Sequence, residues 1–425
     1  MRPRDRWPTV LLGTLGAFRN GVNYNKSNFG TGIKVIGVSD FQDHVRASFD
    51  QLEEINPEGV VRTEHLLRNG DILFVRSNGN RELIGRSLFV SGLQEDVTHS
   101  AFSIRLRFAA PQCCPRFYAY LFRSTLIRQA LSMYGGGTNI SNLNQGILER
   151  LEVPLPALPT QERIAAILSA YDDLIENNSR RIKILETMAQ MLYREWFVNF
   201  RFPGYQKVKM VESELGPIPE GWQTGLLRNV CDSLDYGHTA SASVKPIGPK
   251  FLRITDIVPS VIDWHTVPHC ASPEKNADRY SLREGDIVVA RTGATTGYAK
   301  RLNKRHPASI FASYLVRLRI KPNFSNHLFG VLVESDEYKR FIQGNWSGAA
   351  QPQANAQVLT SIPIVIAPEP LQGRFSALVE PLLDLREAFQ FKNINLRTTR
   401  DLLLPKLISG EIPVEAAAEF AEQAV

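Results

Sequence analysis

Amide side chains that could read nucleic-acid bases are concentrated in two segments of this sequence. Gly135–Gln145 and Trp346–Ala356 each combine small residues with several Asn or Gln residues. An Asn or Gln side chain can bond adenine through two atoms in a major groove, and small residues allow close approach to a phosphate. An ordinary polar loop is the alternative interpretation of both segments. The two segments are therefore candidate base-reading loops.

Basic residues elsewhere in each repeat extend the candidate set. Arg76 and Arg291 each follow a short apolar segment, and a guanidinium group suits the O6 and N7 acceptors of guanine. The candidates for DNA contact are Arg76, Asn78, Arg105, Arg107, Thr138, Asn139, Asn142, Asn144, Gln145, Arg291, Thr292, Lys300, Arg301, Lys304, Arg305, Gln351, Gln353 and Asn355.

The distribution of charge is more informative than its total. The chain carries +6, but residues 411–425 hold four glutamates and no base, so residues 1–410 carry +10. Neither Val97–Leu148 nor Ile287–Val333 contains an acid, although both contain several bases. A surface of one sign suits a DNA duplex, which carries a charge about every 1.7 Å along its axis. A solvated basic face with no ligand is the alternative.

Motifs for catalysis are missing from the sequence. Gly293–Gly297 lacks the lysine of a phosphate-binding loop, and neither H-E-x-x-H nor G-x-S-x-G occurs. Asn56–Gly59 does not supply the N/D-P-P-Y/F loop of an amino-methyltransferase. Glu337–Lys339 is an E-x-K string without an equivalent in the first half of the chain. We therefore expect a chain that binds without performing chemistry.

Cysteine and histidine usage favours neither a metal site nor disulfides. The cysteines are Cys113, Cys114, Cys231 and Cys270, with no C-x-x-C spacing. His265, His269 and Cys270 have no partner cysteine for zinc. We expect a reducing, cytoplasmic location and, without a run of about eighteen apolar residues, no membrane span.

The chain is a tandem duplication. Leu148–Ile164 aligns with Leu359–Phe375 at a constant offset of 211, which pairs Gln161 with Gln372. Gly70–Arg76 aligns with Gly285–Arg291 at 215, so the offset drifts only by small insertions. Because the matches stay collinear over about two hundred residues, chance similarity is a poor explanation.

Each repeat has the same predicted order of elements. Short alternating segments come first, with buried strands at Ile72–Val75 and Ile287–Ala290. One helix is expected at Phe117–Leu131 and one near Phe329–Ile342. A proline-rich extended connector follows, at residues 153–159 and 362–370, and a long helix ends each repeat.

The long helices carry a coiled-coil pattern. In the first, over residues 161–199 with Thr160 as N-cap, nine of ten seam positions are apolar and the tenth is Asn178. The second seam is weaker, with Pro405 expected to end or kink the helix near Leu404 and Gly410 as a stop. Helices of about 50–58 Å favour an antiparallel pair. Two separate helices, each covering its own domain, remain the alternative.

At the connector and first long helix the sequence resembles the specificity (S) subunits of type I restriction–modification enzymes. Leu158–Asn178 and Trp196–Phe200 resemble their central region, Leu402–Glu411 their distal region, and Pro219–Trp222 the entry to a target recognition domain. The resemblance covers the whole chain. Gly373 and Arg386 are mild departures that make the second helix less regular.

The resemblance implies an α+β fold with two α/β target recognition domains separated by a long antiparallel two-helix coiled coil. The implied segments are recognition domain one (1–159), central helix (160–200), linker (201–221), recognition domain two (222–370), distal helix (371–410) and acidic tail (411–425).

The resemblance also implies a role and partners. Each recognition domain would read one half of a bipartite, asymmetric site in double-stranded DNA. The helices would set the spacing and dock two methyltransferase (M) subunits, beside motor–nuclease (R) subunits. S-adenosylmethionine, ATP and Mg²⁺ would bind those partners, and this chain would bind no cofactor. Such systems methylate adenine and serve antiphage defence.

Two other classes of function stay open from the residues. A self-contained methyltransferase or nuclease is disfavoured by the missing motifs. A non-catalytic coiled-coil scaffold without DNA reading is the second alternative, and a strong salt dependence of duplex binding would eliminate it.

Overall fold

The computed structural model describes residues 7–41, 45–77, 83–134, 142–259, 261–271, 277–347 and 352–417. It divides into two compact units. Unit one comprises Met1–Glu176 and Asn395–Val425, and unit two comprises Asn177–Ile394. Each long helix therefore contributes residues to both units.

Unit one contains the first repeat's strands and short helices. These are β1 (Thr9–Leu11), β2 (Gly16–Asn20), β3 (Phe29–Ile36), β4 (Glu53–Ile55), β5 (Ile72–Val75), β6 (Ser87–Phe89), β7 (Val97–His99), β8 (Ser103–Phe108), α1 (Pro115–Leu121), α2 (Thr125–Tyr134), α3 (Gln145–Glu149) and β9 (Glu152–Pro154). The first long helix, α4 (Leu158–Tyr193), begins here and leads into one π-helical segment, Arg194–Val198.

Unit two contains the second repeat. Its elements are β10 (Met210–Val211), β11 (Ile218–Pro219), β12 (Gln223–Leu226), β13 (Cys231–Tyr236), β14 (Lys250–Leu252), α5 (Ala277–Tyr280), β15 (Ile287–Ala290), β16 (Ala299–Arg301), β17 (Ser309–Phe311), β18 (Leu315–Ile320), α6 (Asn326–Val333), α7 (Asp336–Asn345), α8 (Ala356–Leu359) and β19 (Pro363–Ile366). The second long helix, α9, runs over Glu369–Ile408.

The sheets confirm the duplication. Unit one has a four-stranded sheet in the order β2-β8-β5-β6, and unit two has the equivalent sheet in the order β13-β18-β15-β16. The two strands predicted to be buried, β5 and β15, lie inside these sheets, and all their residues are buried. The predicted α+β class with two long helices is confirmed.

The prediction of one short helix in each repeat is wrong, because each of the two segments forms a pair of helices. In unit one α1 and α2 are separated by a turn at which Ser124 Oγ donates to the Leu121 carbonyl. In unit two Ser335 starts α7 as an N-cap, with Oγ accepting from the Tyr338 N–H. Serine side chains that bond the neighbouring backbone favour such breaks.

The buried seam of α4 is confirmed. Nine of its ten predicted positions are buried, and Leu192 is half-buried. The predicted N-cap of α4 is wrong, and so is an end of α9 near Leu404, whereas a kink at Pro405 stays a prediction. The helix begins at Leu158, so Thr160 lies within its first turn. Pro405 does not end α9 near Leu404, because the helix continues to Ile408 and a left-handed Gly410 follows, as predicted for a stop.

The antiparallel pairing of the long helices is confirmed in unit two, and the helices also contact each other in unit one. In unit two the buried Asn178 Nδ2 donates to Asn393 Oδ1 at 2.9 Å, and eight residues further along α4 Glu186 lies 3.7 Å from Arg386. In unit one Asp172 of α4 pairs with Arg400 of α9. Since α9 numbers fall as α4 numbers rise, the alternative of two separate helices is wrong.

Candidate nucleic-acid interface

In unit one the described end of the first predicted base-reading loop meets the segment that begins at Arg76. Arg76 follows β5, and its carbonyl accepts a hydrogen bond of 2.9 Å from the Leu143 N–H. Leu143 is fully buried, while its neighbours Asn142 and Asn144 are exposed. Burial of the apolar residue anchors the segment and leaves the two amides at the surface.

Unit two repeats this arrangement. The Arg291 carbonyl accepts a hydrogen bond of 2.9 Å from the Ala354 N–H, at the position equivalent to Leu143. The Gly293 N–H donates to the Pro352 carbonyl at 2.9 Å, and Thr292 forms a β-bridge with Gln353. The structure therefore brings together, twice, candidates that the sequence separates by more than sixty residues.

Two candidate asparagines also have a structural role. Asn144 and Asn355 are the N-caps of α3 and α8, where each side-chain oxygen accepts from a backbone N–H at 2.9 Å. Both residues are exposed, and capping uses the oxygen but not the NH₂ group. The cap fixes the side chain while its donors can still reach a ligand. Gln145, in the first turn of α3, is half-buried, and Gln353 is exposed.

The guanidinium group of Arg291 is held by an aromatic ring. It lies 4.9 Å from the centroid of the Tyr236 ring, and its Nη1 donates to the Ser313 carbonyl at 3.4 Å. Arg76 makes the equivalent backbone contact, from Nη1 to the Ala101 carbonyl at 3.5 Å. A cation over a ring face is stabilised by about 0.5–2 kcal/mol.

Tyr236 was missed by the sequence analysis. Its hydroxyl oxygen accepts a hydrogen bond of 3.0 Å from the Ala356 N–H, so it links Arg291 to the start of α8. At the repeat offset of 216 its equivalent is Asn20, the last residue of β2. Extending the repeat alignment upstream would have found both strand-end positions.

Arg105 and Arg107 lie on a strand of the sheet rather than at the loops. Arg105 is 5% exposed and donates to the carbonyls of Glu64 and Leu66, and burial lowers its pKa. Arg107 forms two hydrogen bonds of 2.7 Å with the buried Asp71. These guanidinium groups bind the protein itself, so we leave both residues out of the proposed DNA surface.

The basic residues from Lys300 to Arg305 lie at the other end of the β15–β16 hairpin from Arg291. Arg301 pairs opposite Ile287, whereas Arg291 follows the far end of β15. The four residues of β15 separate these ends by about 13 Å, at about 3.3 Å per residue. The structure therefore does not join this group to the Arg291 loop.

Acidic side chains form ion pairs with two of the basic residues in this second group. Lys300 lies 3.8 Å from Glu334, and burial lowers its pKa. Lys304 Nζ lies 2.7 Å from Asp384, while Arg305 is exposed. The acid-free windows therefore overstate the free positive charge, because their acids come from elsewhere in the chain. Four further candidates, Asn78, Thr138, Asn139 and Gln351, lie outside the described residues.

Over the part of the chain that the structure describes, no group of three or more His, Cys, Asp or Glu residues could hold a metal ion. Among the same residues, no helix has the length and apolar character needed to cross a membrane.

Comparison with known proteins supports one family. Residues 5–187 match the model of the type I restriction modification DNA specificity domain. The type I restriction enzyme MjaIX specificity subunit of Methanocaldococcus jannaschii is 28% identical over 309 residues, which cover 70% of this chain and 68% of that protein. The type I restriction enzyme StySPI specificity subunit of Salmonella potsdam is 22% identical over 444 residues, which cover 98% of this chain and 91% of that protein.

A solved structure shares the fold. The crystal structure of a type I restriction–modification S subunit from M. genitalium matches with a TM-score of 0.56 and 13% identity, covering 96% of this chain and 98% of that one. The duplicated α+β fold and the family match agree. The chain is therefore similar to type I restriction–modification specificity subunits, by the family model over residues 5–187 and by relatives that cover most of its length.

Proposed function

We propose that this chain selects DNA sequence within a type I restriction–modification complex, with each recognition domain reading one half of a bipartite, asymmetric site. The observation that carries this is the duplicated loop pair: Arg76 with Leu143, and Arg291 with Ala354, each joined by the same backbone hydrogen bond. The equivalent backbones present different side chains. Two equivalent scaffolds with different surfaces suit two different half-sites.

The surface proposed to read DNA is defined by the exposed or half-buried residues of these loops. It comprises Arg76, Asn142, Asn144 and Gln145 in unit one and Arg291, Gln353 and Asn355 in unit two. Asn and Gln would read adenine, and the arginines guanine or phosphate. The domain limits 1–159 and 222–370 are part of the proposal.

The paired long helices would set the gap between the half-sites and dock two methyltransferase subunits. The buried Asn178–Asn393 hydrogen bond supports a fixed register, because a polar pair in an apolar seam is satisfied in only one alignment. A defined register gives a defined length, which a spacing device requires.

Chemistry would belong to the partner subunits. The methyltransferase subunits would bind S-adenosylmethionine and act on a flipped adenine, and the restriction subunits would use ATP and Mg²⁺. This chain would contribute no catalytic residue and bind no cofactor. Its place of action would be the cytoplasm, where the chromosome lies.

A domain exchange tests the proposal. Residues 7–150 are replaced by those of a relative with a different recognition sequence, and the methylated motif of a host carrying the full complex is mapped. One half of the motif should change and the other should remain. A change in both halves would contradict the proposal that each recognition domain reads one half-site.

The alternative, a scaffold without its own DNA reading, makes an opposite prediction. The exchange would then leave the methylated motif unaltered. Affinity of the full complex for duplex DNA would also not depend on residues 7–150. A matched exchange of 222–370 serves as the control, because it should change only the other half-site.

A further inference from the structure

Gln161 occupies an unusual position for a polar side chain. It lies in the first turn of α4 and is fully buried. Its Oε1 accepts a hydrogen bond of 2.9 Å from the Cys114 N–H. Its Nε2 donates to the carbonyls of Gln112 at 3.0 Å and Pro156 at 2.7 Å. One amide therefore joins the long helix, the start of α1 and the connector.

Gln372 makes the equivalent contacts in unit two. It lies in the first turn of α9, is 2% exposed, and accepts a hydrogen bond of 3.0 Å from the Ser325 N–H. Its Nε2 donates to the Ala367 carbonyl at 2.8 Å. Ser325 precedes α6 as Cys114 precedes α1, and Ala367 stands where Pro156 stands.

The amide is shared by the two repeats although its partners are different residue types. The offset of 211 links the paired positions: 114 with 325, 156 with 367 and 161 with 372. All partner atoms are backbone atoms, so their side chains are free to vary. A glutamine offers both an acceptor and a two-hydrogen donor in one plane, and a leucine of similar size offers neither.

We infer that Gln161 and Gln372 are positioning residues that fix the angle between each recognition domain and its long helix, and thereby the half-site spacing that the complex accepts. This inference rests on the proposed function. Neither side chain would touch DNA. Their buried amides would hold the domain in one orientation, because a fully satisfied buried polar group is costly to displace.

Because the long helix α4 is a long lever, a small change in its angle at Gln161 moves its far end by several ångströms. A helix of 36 residues is about 54 Å long at about 1.5 Å per residue. A tilt of about 5° at its first turn moves its far end by about 5 Å. This exceeds the rise of one base pair, which is about 3.4 Å.

The test uses Gln161→Leu in the full complex with its methyltransferase subunits. The methylated motif of the wild type is mapped first, and methylation is then measured on duplexes whose gap is native, one base pair shorter or one longer. Preference for the native gap should fall by about tenfold, while both half-site sequences stay the same. Unchanged gap preference, or a relaxed half-site, would overturn the inference.

Controls separate orientation from stability. Leu88→Ala, in the core of the same recognition domain and away from the joint, is compared by thermal unfolding and should keep the native gap preference. If its gap preference falls as far as that of Gln161→Leu, the effect is loss of stability and the inference fails. Gln372→Leu removes the equivalent amide of unit two, and it should lower the preference for the native gap in the same way.

A milder variant covers the case in which Gln161→Leu does not fold. Gln161→Met keeps the unbranched shape of glutamine without its acceptor or donors, so it fills the same buried space and should broaden the gap preference as leucine does. Native-like gap preference in this folded variant would contradict the inference. A wild type that methylates no bipartite motif would instead refute the proposed function, so the two failures are distinguishable.

Discussion

The two units hold the long helices with different polar chemistry. In unit one Asp172 of α4 accepts a hydrogen bond of 2.5 Å from the Tyr120 hydroxyl and pairs with Arg400 of α9. In this network the Asp172 carboxylate lies between a neutral donor and a cation. Arg400 also pairs at 2.8 Å with Asp401, which is largely exposed.

In unit two the long helices meet at a cluster of charges around a buried arginine. Arg386 of α9 is 6% exposed and lies 3.1 Å from Glu334, 3.7 Å from Glu186 and 3.8 Å from Glu387. Burial raises the pKa values of Glu186 and Glu387. Burial also acts to raise that of Glu334, but Lys300 and Arg386 outweigh it and hold the pKa below its usual range.

The difference shows that the duplicated seams were retained while the polar anchors diverged. An apolar seam tolerates many side chains of suitable volume, whereas a buried charge requires its own partner. Unit two should therefore be the more sensitive of the two units to removal of one charge.

The largest effect is expected for Arg386→Met. Removing the guanidinium takes away the partner of the half-buried Glu334 and Glu186, while Lys300 stays 3.8 Å from Glu334. Loss of one partner of a buried pair costs about 3–5 kcal/mol. Urea unfolding followed by tryptophan fluorescence measures the change. A loss below about 1 kcal/mol would show that water already solvates this cluster.

Arg400→Met is the matched variant in unit one. Asp172 keeps the hydrogen bond from Tyr120, so the loss should be only about 1–2 kcal/mol. Equal losses in the two variants would remove the contrast between the anchors.

His99 gives the next effect, and its equivalent in unit two is Phe311. His99 is fully buried, and burial, with Arg105 nearby, lowers its pKa to about 3. The unfolded chain, with a histidine pKa near 6.5, binds the proton first. The contribution of His99 to the free energy of unfolding is therefore full above pH 6.5. It falls as the pH drops towards 3, and the loss is about 2 kcal/mol at pH 5.

His99→Phe would transfer the residue of unit two into unit one and remove this acid sensitivity. The free energy of unfolding, measured from pH 7 to pH 5, should lose about 2 kcal/mol less in the variant than in the wild type. Identical pH profiles would mean that the pKa of His99 is the same in the folded and unfolded chain, which contradicts the prediction. His99→Gln, which also lacks a titrating group, controls for ring packing.

The smallest effects are expected at the equivalent caps. Asn144→Ala and Asn355→Ala each remove one N-cap bond of 2.9 Å and should cost about 1 kcal/mol. Because the caps are equivalent, the two losses should agree. Asn→Ser keeps a capping oxygen and should retain stability while altering base contacts, which a methylation assay detects.

The elements set by periodicity could be predicted from sequence. Apolar positions of α4 recur at a fixed spacing, and the same residues are buried in the structure. The partner of Asn178 could not be predicted, because which α9 residue faces it depends on the register of two segments far apart in the chain. Pro405 misled because a proline in the last turn removes few helical bonds.

The candidate site was predictable only in part. The repeats identified the loops, and the structure brings Arg76 to Leu143 and Arg291 to Ala354. Charge counting misplaced Arg107, because its partner Asp71 directly precedes the neighbouring strand β5 and lies outside the acid-free window. A charge count over a sequence window includes only residues that are close in the chain, whereas the sheet brings together charged residues from segments far apart in the chain.

Methylome sequencing of the source cell tests the central proposal most directly. Two recognition domains on paired helices predict a methylated adenine motif with two different defined halves and an undefined gap of constant length. A single uninterrupted motif, or halves whose separation varies from site to site, would contradict the account.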